Sequence, residues 1–304
     1  MRLSIFVPIT KPQSRQDPWR ESIANFTEFA DEVVIVCGDK SDLELDFPNK
    51  DKIKLVYNKW RVDDYLMYGE QYKLGFEATT GDWAIKCDID YMFHEDDWQD
   101  IRNCLENSDE LVLFMAKKQF ILVDRFRVKA LMPIVFRGDL RGRIKFDSGG
   151  DYTWPRVDGV LVSDKSKAVC KKEFVIISDN VTEEQIKKRL PDVIEKNGQT
   201  YCMNRRICVY NYDMCFKDKE TIAREFLKQS KARYKKTGDS WGQTEKEALK
   251  YFVSMQKGRL KRGWEKTDQH PKHIKDKVKN IKSNQLGYSL FGYFNKNKLD
   301  NNSK

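Results

Sequence analysis

Two carboxylates close the stretch Gly81-Asp82-Trp83-Ala84-Ile85-Lys86-Cys87-Asp88-Ile89-Asp90. The apolar run in front of them reads as a short buried strand. Residues at i and i+2 of a strand share one face, so Asp88 and Asp90 are expected to point at the same small object. Like charges so placed repel unless a cation lies between them or their pKa values separate. A hard divalent ion, Mn2+ or Mg2+, fits that chemistry, because it takes oxygen ligands and shares them with a substrate's phosphates. Glu95, Asp96 and Asp97 add further acid within a turn. A solvated acidic turn would produce the same letters; the strand before the pair is what points to a metal and a diphosphate.

The elements that would position this pair can be read on both sides of it. Leu3 to Thr10 is a first buried strand, followed by a polar loop from Lys11 to Gln16. Asp17-Pro18 then opens a helix, an acidic cap followed by proline at its start, with Trp19, Ile23, Phe26 and Ala30 on one stripe. Glu32 to Asp39 is a second strand ending in Gly38-Asp39, and Ile53 to Tyr57 is a third. Strand, helix, strand with β-branched runs predicts a parallel sheet with right-handed crossovers. Asp63 or Asp64 starts a helix with Tyr65, Tyr68, Tyr72 and Phe76 on one side, and the fourth strand delivers the two acids. Asp96 or Asp97 caps the next helix, whose buried stripe is Trp98, Ile101 and Leu105. Two strands, Leu111 to Met115 and Phe120 to Val123, follow across a Lys117-Lys118 turn. Ligands of open α/β sheets collect at the carboxyl ends of the strands, and Thr10, Asp39, the Asn58 to Arg61 loop and the Asp88/Asp90 pair all lie there. Four such ends in one crevice predict a nucleotide or phosphate site.

The rest of the chain is less regular and then helical. Residues 133 to 165 mix glycines with Arg137, Arg141 and Arg143, candidates to clamp phosphate. Asp147 to Gly159 reads as an acceptor-lining loop or a plain connection. From residue 183 helices are expected: Glu183 to Lys188, one capped by Asp218 with Ile222, Phe226 and Leu227 inward, one opened by the Thr244-to-Glu247 capping box, and Pro271 to Ile281. The boundaries implied are a catalytic domain over 1–215, a basic helical region over 216–294 packed on it, and a polar tail over 295–304.

Composition bounds these readings. The 304 residues are 40% hydrophobic and 12% aromatic, with 34% charged and a mean hydropathy of -0.71. That suits a globular core, and no apolar run approaches the roughly 20 residues a bilayer span needs. The apolar N-terminus is short and carries Pro8, so it reads as a strand rather than a signal peptide. Seven scattered cysteines without a C-x-x-C pair suggest reduced thiols in a cytoplasmic protein, and the His270/His273 pair reads as surface. Residues 217–304 hold 23 Lys and Arg against 10 Asp and Glu, within a net charge of +9. Such asymmetry suggests an acidic partner, such as an anionic membrane surface touched peripherally, or simply solvated helix faces.

Taken in order, Phe6-Val7-Pro8-Ile9-Thr10, Val34 to Asp39, Gly69, Lys73, Gly75, Ala78, Gly81-Asp82-Trp83 and Asp88-Ile89-Asp90 resemble the GT-A nucleotide-sugar glycosyltransferases, most of all the broad family 2 group. The resemblance covers residues 1–130 and thins beyond. It implies a mixed, mainly parallel sheet flanked by helices, and transfer of a sugar from a UDP- or GDP-sugar to a glycan or lipid-linked acceptor, with inversion, in polysaccharide biosynthesis. It places Pro8 and Thr10 along the nucleoside, Asp39 on the base, Lys73 on the nucleotide, Asp88 at the ribose or the metal's shell, and Asp90 on Mn2+ or Mg2+. Relatives carry a late Val-Tyr-His-Tyr strand whose histidine completes the metal site. Here Val209-Tyr210-Asn211-Tyr212-Asp213 stands instead, leaving Asp213 as a substitute oxygen donor. By position, Asp151 and Asp158 are the candidates for the base that deprotonates the acceptor.

Two other readings start from the same residues. A sugar nucleotidyltransferase would share the sheet and the acidic pair, but Lys11-Pro12-Gln13-Ser14-Arg15 lacks the glycines of its phosphate loop. A non-catalytic binder of nucleic acid or an anionic surface would use the basic C-terminal third, yet no helix-turn-helix, zinc or aromatic-platform signature accompanies that charge, so nucleic acid is the least expected partner.

Overall fold

β-Branched and aromatic residues dominate both Leu3–Ile9 and Glu32–Cys37, and in the computed structural model these form the first two strands, β1 and β2, buried almost throughout on both faces. The structure describes residues 1–39, 45–61, 64, 66–147, 154–162, 193–196, 199–202, 208–238, 240–260 and 265–292. Between β1 and β2 the expected polar loop contains a single helical turn, α1 (Pro12–Arg15), bracketed by Lys11 and Gln16 at positive φ. The helix α2 (Trp19–Phe29) follows. Asp17 does not cap it: its carboxylate lies between Arg15 at 2.8 Å and Lys217 at 2.7 Å.

β3 (Ile53–Tyr57) and β4 (Trp83–Lys86) complete a parallel half-sheet, with Ile5 opposite Val33 and Ile85, and Ile35 opposite Leu55. The helix between them, α3 (Met67–Glu77), starts a turn later than Asp64; Asp63 and Tyr65 lie outside the described residues. Sequence alternation along the strands fixes what each helix covers. Phe6, Val34 and Ala84 pack under Tyr72 and Phe76 of α3, whereas Ile5, Ile35 and Ile85 pack against Ile23 and Phe26 of α2. The βαβ reading of residues 3–86 therefore matches the element order, with a helix on each face.

The second half of the sheet is mixed. β5 (Tyr91–Phe93) and α4 (Trp98–Glu106) follow the acidic pair, with Ile101 and Leu105 buried as expected. β6 (Val112–Leu122) and β7 (Arg125–Arg137) form a long antiparallel ladder with register shifts. Lys117 and Lys118 therefore lie within one strand rather than at a turn. Burial is possible because each stem is apolar and each ammonium finds a phenol, Lys117 Nζ at 2.8 Å from Tyr91 Oη and Lys118 Nζ at 2.8 Å from Tyr210 Oη. The small sheet β8 (Ile144–Phe146), β9 (Pro155–Val157) and β10 (Val160–Leu161) gives structure to part of the segment read as loop. β11 (Val193–Lys196) and β12 (Gln199–Cys202) pair as a hairpin where helix was expected, and the helix read at Glu183 to Lys188 lies outside the described residues. β13 (Cys208–Asn211) runs parallel to β6 and antiparallel to β5, so the main path reads β3-β2-β1-β4-β7-β6-β13-β5.

The C-terminal elements pack on β6. Asp218 Oδ1 accepts from the Thr221 N–H at 2.8 Å to cap α5 (Lys219–Thr237). Glu247 and Thr244 exchange the bonds of a capping box at the start of α6 (Glu245–Leu260). Ile222, Phe226, Ala248 and Phe252 close on Ile121 and Leu122. β14 (Glu265–Lys266) joins β7, and a 3-10 turn leads into α7 (Lys275–Lys279), with α8 (Leu286–Ser289) last. Several of the basic residues here face acids of the first half. Lys272 and His273 meet Glu28, Lys277 meets Glu21 at 2.9 Å and Lys275 meets Glu95 at 3.6 Å. Among the described residues no helix is long and apolar enough to cross a membrane.

Candidate nucleotide and cation site

The carboxyl ends of β1 and β2 meet at Gly38. A Cβ there would stand 2.9 Å from Trp60 Cβ and 3.1 Å from Thr10 Cβ, so glycine is what lets the Thr10 and Trp60 segments close around the strand end. The Trp60 N–H donates to the Gly38 carbonyl at 3.2 Å, the Asn58 N–H to that of Cys37 at 3.0 Å, and the Cys37 thiol to that of Asp39 at 2.8 Å. Trp60 meets Tyr68 of α3 edge-on, with ring centroids 5.0 Å apart. Thr10, the Gly38-Asp39 end of β2 and the Asn58 to Trp60 loop are thus brought together, and half-buried Pro8 lies one turn of the pleat behind, opposite Val36. Lys73 sits on the exposed side of α3.

Asp88 is held by protein. Tyr72 donates its hydroxyl to Asp88 Oδ1, and Tyr91 also hydrogen-bonds this carboxylate. Each phenol is backed by a buried ammonium: Lys86 Nζ lies 4.6 Å from the Tyr72 ring centroid, and Lys117 bonds Tyr91 Oη. Burial pushes both phenols well above the ordinary tyrosine range, with the charge of Asp88 adding to it. Burial lowers Lys86 to about 8, against the pull of Asp88.

Asp90 is differently placed. Its Oδ2 accepts from Asn211 Nδ2 at 3.0 Å, and its carbonyl accepts from the Tyr212 N–H at 3.0 Å. Asp90 Oδ1 and Asn211 Oδ1 are both buried with no hydrogen-bond partner. Burial raises the Asp90 carboxyl well above the usual range, and the nearby charges of Asp213 and Asp88 raise it further. A buried oxygen acceptor without a donor costs free energy, and two of them on adjacent side chains beside a further acid suit a hard cation. The three acids expected to hold it do not form a cage: among the described residues no group of three His, Cys, Asp or Glu side chains is placed to hold a metal. Asp88 is turned into its tyrosine pair, while Asn211 Oδ1 is the open oxygen beside Asp90. Asp90, Asn211 and the nearby acid Asp213 are the residues that could hold a cation.

Asp158 is exposed at a hairpin turn, at positive φ, with its carboxylate 2.5 Å from Arg143, whose hydrogen bond holds it below the usual range. A carboxylate so stabilised is a weakened base. Asp151 lies outside the described residues. The three arginines proposed to clamp phosphate already have partners: Arg137 pairs with Asp139, Arg143 with Asp158, and Arg141 holds Thr79 Oγ1 and the Gly81 carbonyl. His270, read as surface, is buried against Tyr212. Sequence reasoning gave no site role to the tyrosines at positions 72, 91, 210 and 212. The available signal was adjacency, since Tyr91 follows Asp90 and two tyrosines flank Asn211.

No protein-family model and no curated protein matches the chain. Among solved structures, S. aureus TarS 1-349 in complex with UDP-GlcNAc is similar at 12% identity over 86% of this chain and 73% of that one, with a TM-score of 0.40. S. aureus TarS 1-349 in complex with UDP is similar at 17% identity over 48% of this chain and 50% of that one, TM-score 0.38. The bifunctional IspDF from Campylobacter jejuni is similar at 11% identity over 46% and 42%, TM-score 0.32. In the alignment with TarS 1-349 alone the chain spans half of that protein's length. Likenesses at these identities and TM-scores carry no argument about activity.

Proposed function

We propose that the chain is a GT-A-type glycosyltransferase that binds a UDP- or GDP-sugar and passes the sugar to a hydroxyl of a glycan or lipid-linked acceptor. The observation that supports this most is the pair of buried, partnerless oxygens on Asp90 and Asn211 at the mouth of a parallel half-sheet. Thr10, Gly38 and Trp60, which come together at the strand ends, would form the wall along which a nucleoside lies, with Asp39 on the nucleobase. Asp90, Asn211 and Asp213 would hold Mn2+ or Mg2+. When bound, such an ion supplies positive charge to the departing diphosphate.

The chain's own residues orient and shield. Tyr72 and Tyr91 fix Asp88, and Asn211 fixes Asp90, so the two acids keep different orientations before substrate arrives. In the transfer, the acceptor oxygen bonds to the anomeric carbon as the bond to the diphosphate oxygen breaks, and the hydroxyl proton passes to a base. Asp151 and Asp158 are the base candidates from the sequence, the latter weakened by its bond to Arg143. A nucleotidyltransferase reading is weaker, because Arg15 is engaged between Asp17 and Glu225 rather than carried in a glycine-rich loop. A thermal-shift screen of UDP- and GDP-sugars with and without Mn2+ tests the proposal. Stabilisation by one nucleotide class that grows with Mn2+ is expected; no response to any nucleotide would overturn it.

A further inference from the structure

Asn211 reaches the front of β13 toward Asp90, while its neighbours Tyr210 and Tyr212 belong to the hydrophobic cluster behind, with Phe120, Phe126 and Ile274. Asn211 ends β13 between Tyr210 of the strand and Tyr212 just past it, so whatever fixes these two tyrosines also constrains the direction of the amide between them. Tyr212 is wholly buried and lies on Phe120, with ring centroids 4.6 Å apart and planes 12° apart. Its hydroxyl stands 2.8 Å from Nδ1 of His270, itself 4% exposed. The Tyr212 N–H is also the donor to the Asp90 carbonyl. One residue thus joins a histidine of the C-terminal segment to the backbone of the acid that carries the open oxygen.

We infer that His270 is a positioning residue for the Asp90–Asn211 pair, acting through the Tyr212 hydroxyl. The inference rests on the reading of that pair as a cation and nucleotide site. Burial holds the imidazole down to about 4, so it is neutral near pH 7 and can accept from the hydroxyl at Nδ1 with its proton on Nε2. The segment carrying His270 is itself fastened. The Thr267 N–H donates to the Asp124 carbonyl at 3.0 Å, and the Lys272 N–H to Glu95 Oε2 at 2.9 Å. Ile274 is fully buried beside the tyrosines, and the ion pairs to Glu28 and Glu21 lie just beyond. The basic C-terminal segment therefore braces the site from behind.

The test uses the full chain with His270→Ala, His270→Asn, Tyr212→Phe and the Ala/Phe double variant. Two quantities are read: hydrogen exchange of the Tyr212 amide in metal-free protein, and UDP affinity with and without Mn2+. Losing one buried hydrogen bond should speed that exchange about five- to tenfold and weaken Mn2+-dependent UDP binding by a similar factor. The double variant should lose no more than either single one. His270→Asn, whose amide oxygen can occupy the place of Nδ1, should restore most of both. A histidine that only fills space would lower the melting temperature while leaving Tyr212 exchange and Mn2+-dependent affinity unchanged, and that result overturns the inference. So do additive losses. If His270→Ala fails to fold, Tyr212→Phe retains the ring and gives the same comparison. If the wild type binds neither UDP nor GDP, the nucleotide reading fails, and the exchange measurement alone still decides the role of His270.

Discussion

Asp90→Asn should make the metal-free protein more stable while removing its response to Mn2+. The carboxylate is buried and Oδ1 has no donor, and the charges of Asp213 and Asp88 add repulsion to the burial that already raises its pKa. Asparagine keeps the shape and removes the charge. Relief of a buried, unsatisfied charged acceptor is worth ~1–3 kcal/mol. Unfolding entropy is about 2.1 cal/mol/K per residue, so over 304 residues that gain corresponds to a rise of about 2–5 °C in Tm. The sign follows from the raised carboxyl. Above its folded-state pKa the wild type carries the unfavourable charge and the variant is the more stable. Below that pKa the folded wild type is protonated while its unfolded chain is still ionised, so the difference shrinks as pH falls and vanishes only in the ordinary carboxylate range. Differential scanning fluorimetry across pH 5 to 8, with chelator and with Mn2+, reads both effects. A variant less stable than wild type at neutral pH without metal, or one that Mn2+ still stabilises, would refute this reasoning.

Three further substitutions probe the surroundings. Gly38→Ala places a methyl 2.9 Å from Trp60 Cβ and should cost ~1–3 kcal/mol by overpacking, with nucleotide affinity lost in step; calorimetric titration with UDP and GDP checks it. Tyr72→Phe removes one donor from Asp88 and should cost ~1 kcal/mol of stability, leaving Mn2+ stabilisation intact because Asp88 keeps Tyr91; thermal shift with Mn2+ reads both. Asp158→Asn should leave turnover within about twofold, since its carboxylate is exposed and bound to Arg143; a loss of roughly the 100-fold or more that general-base catalysis contributes in a steady-state assay would return the base role to it.

Much of the scaffold was legible because its signals are local. The buried strands at Leu3 and Glu32, the stripe from Trp19 to Phe26, the Asp218 cap and the Thr244 capping box need only a window of a few residues. The acidic pair was legible for the same reason. What escaped depends on partners far along the chain. Lys117-Lys118 reads as a turn until Tyr91 and Tyr210 are known to receive the two ammonium groups. Asp17 reads as a cap until Lys217, 200 residues on in the sequence, is seen beside it. His270 reads as surface until Tyr212 is placed against it. The division of labour within Asp88 and Asp90 was hidden too, because strand alternation gives both acids one face, whereas Tyr72 and Tyr91 hold one and Asn211 the other.

Crystals soaked with Mn2+ and UDP, with data collected at the manganese absorption edge, would put the proposed site to a direct test. An anomalous peak about 2.0–2.3 Å from Asp90 Oδ1, beside the diphosphate and with Asn211 or Asp213 as a further ligand, is the expected result. A diphosphate bound with no manganese at Asp90, or manganese held elsewhere in the chain, would contradict it.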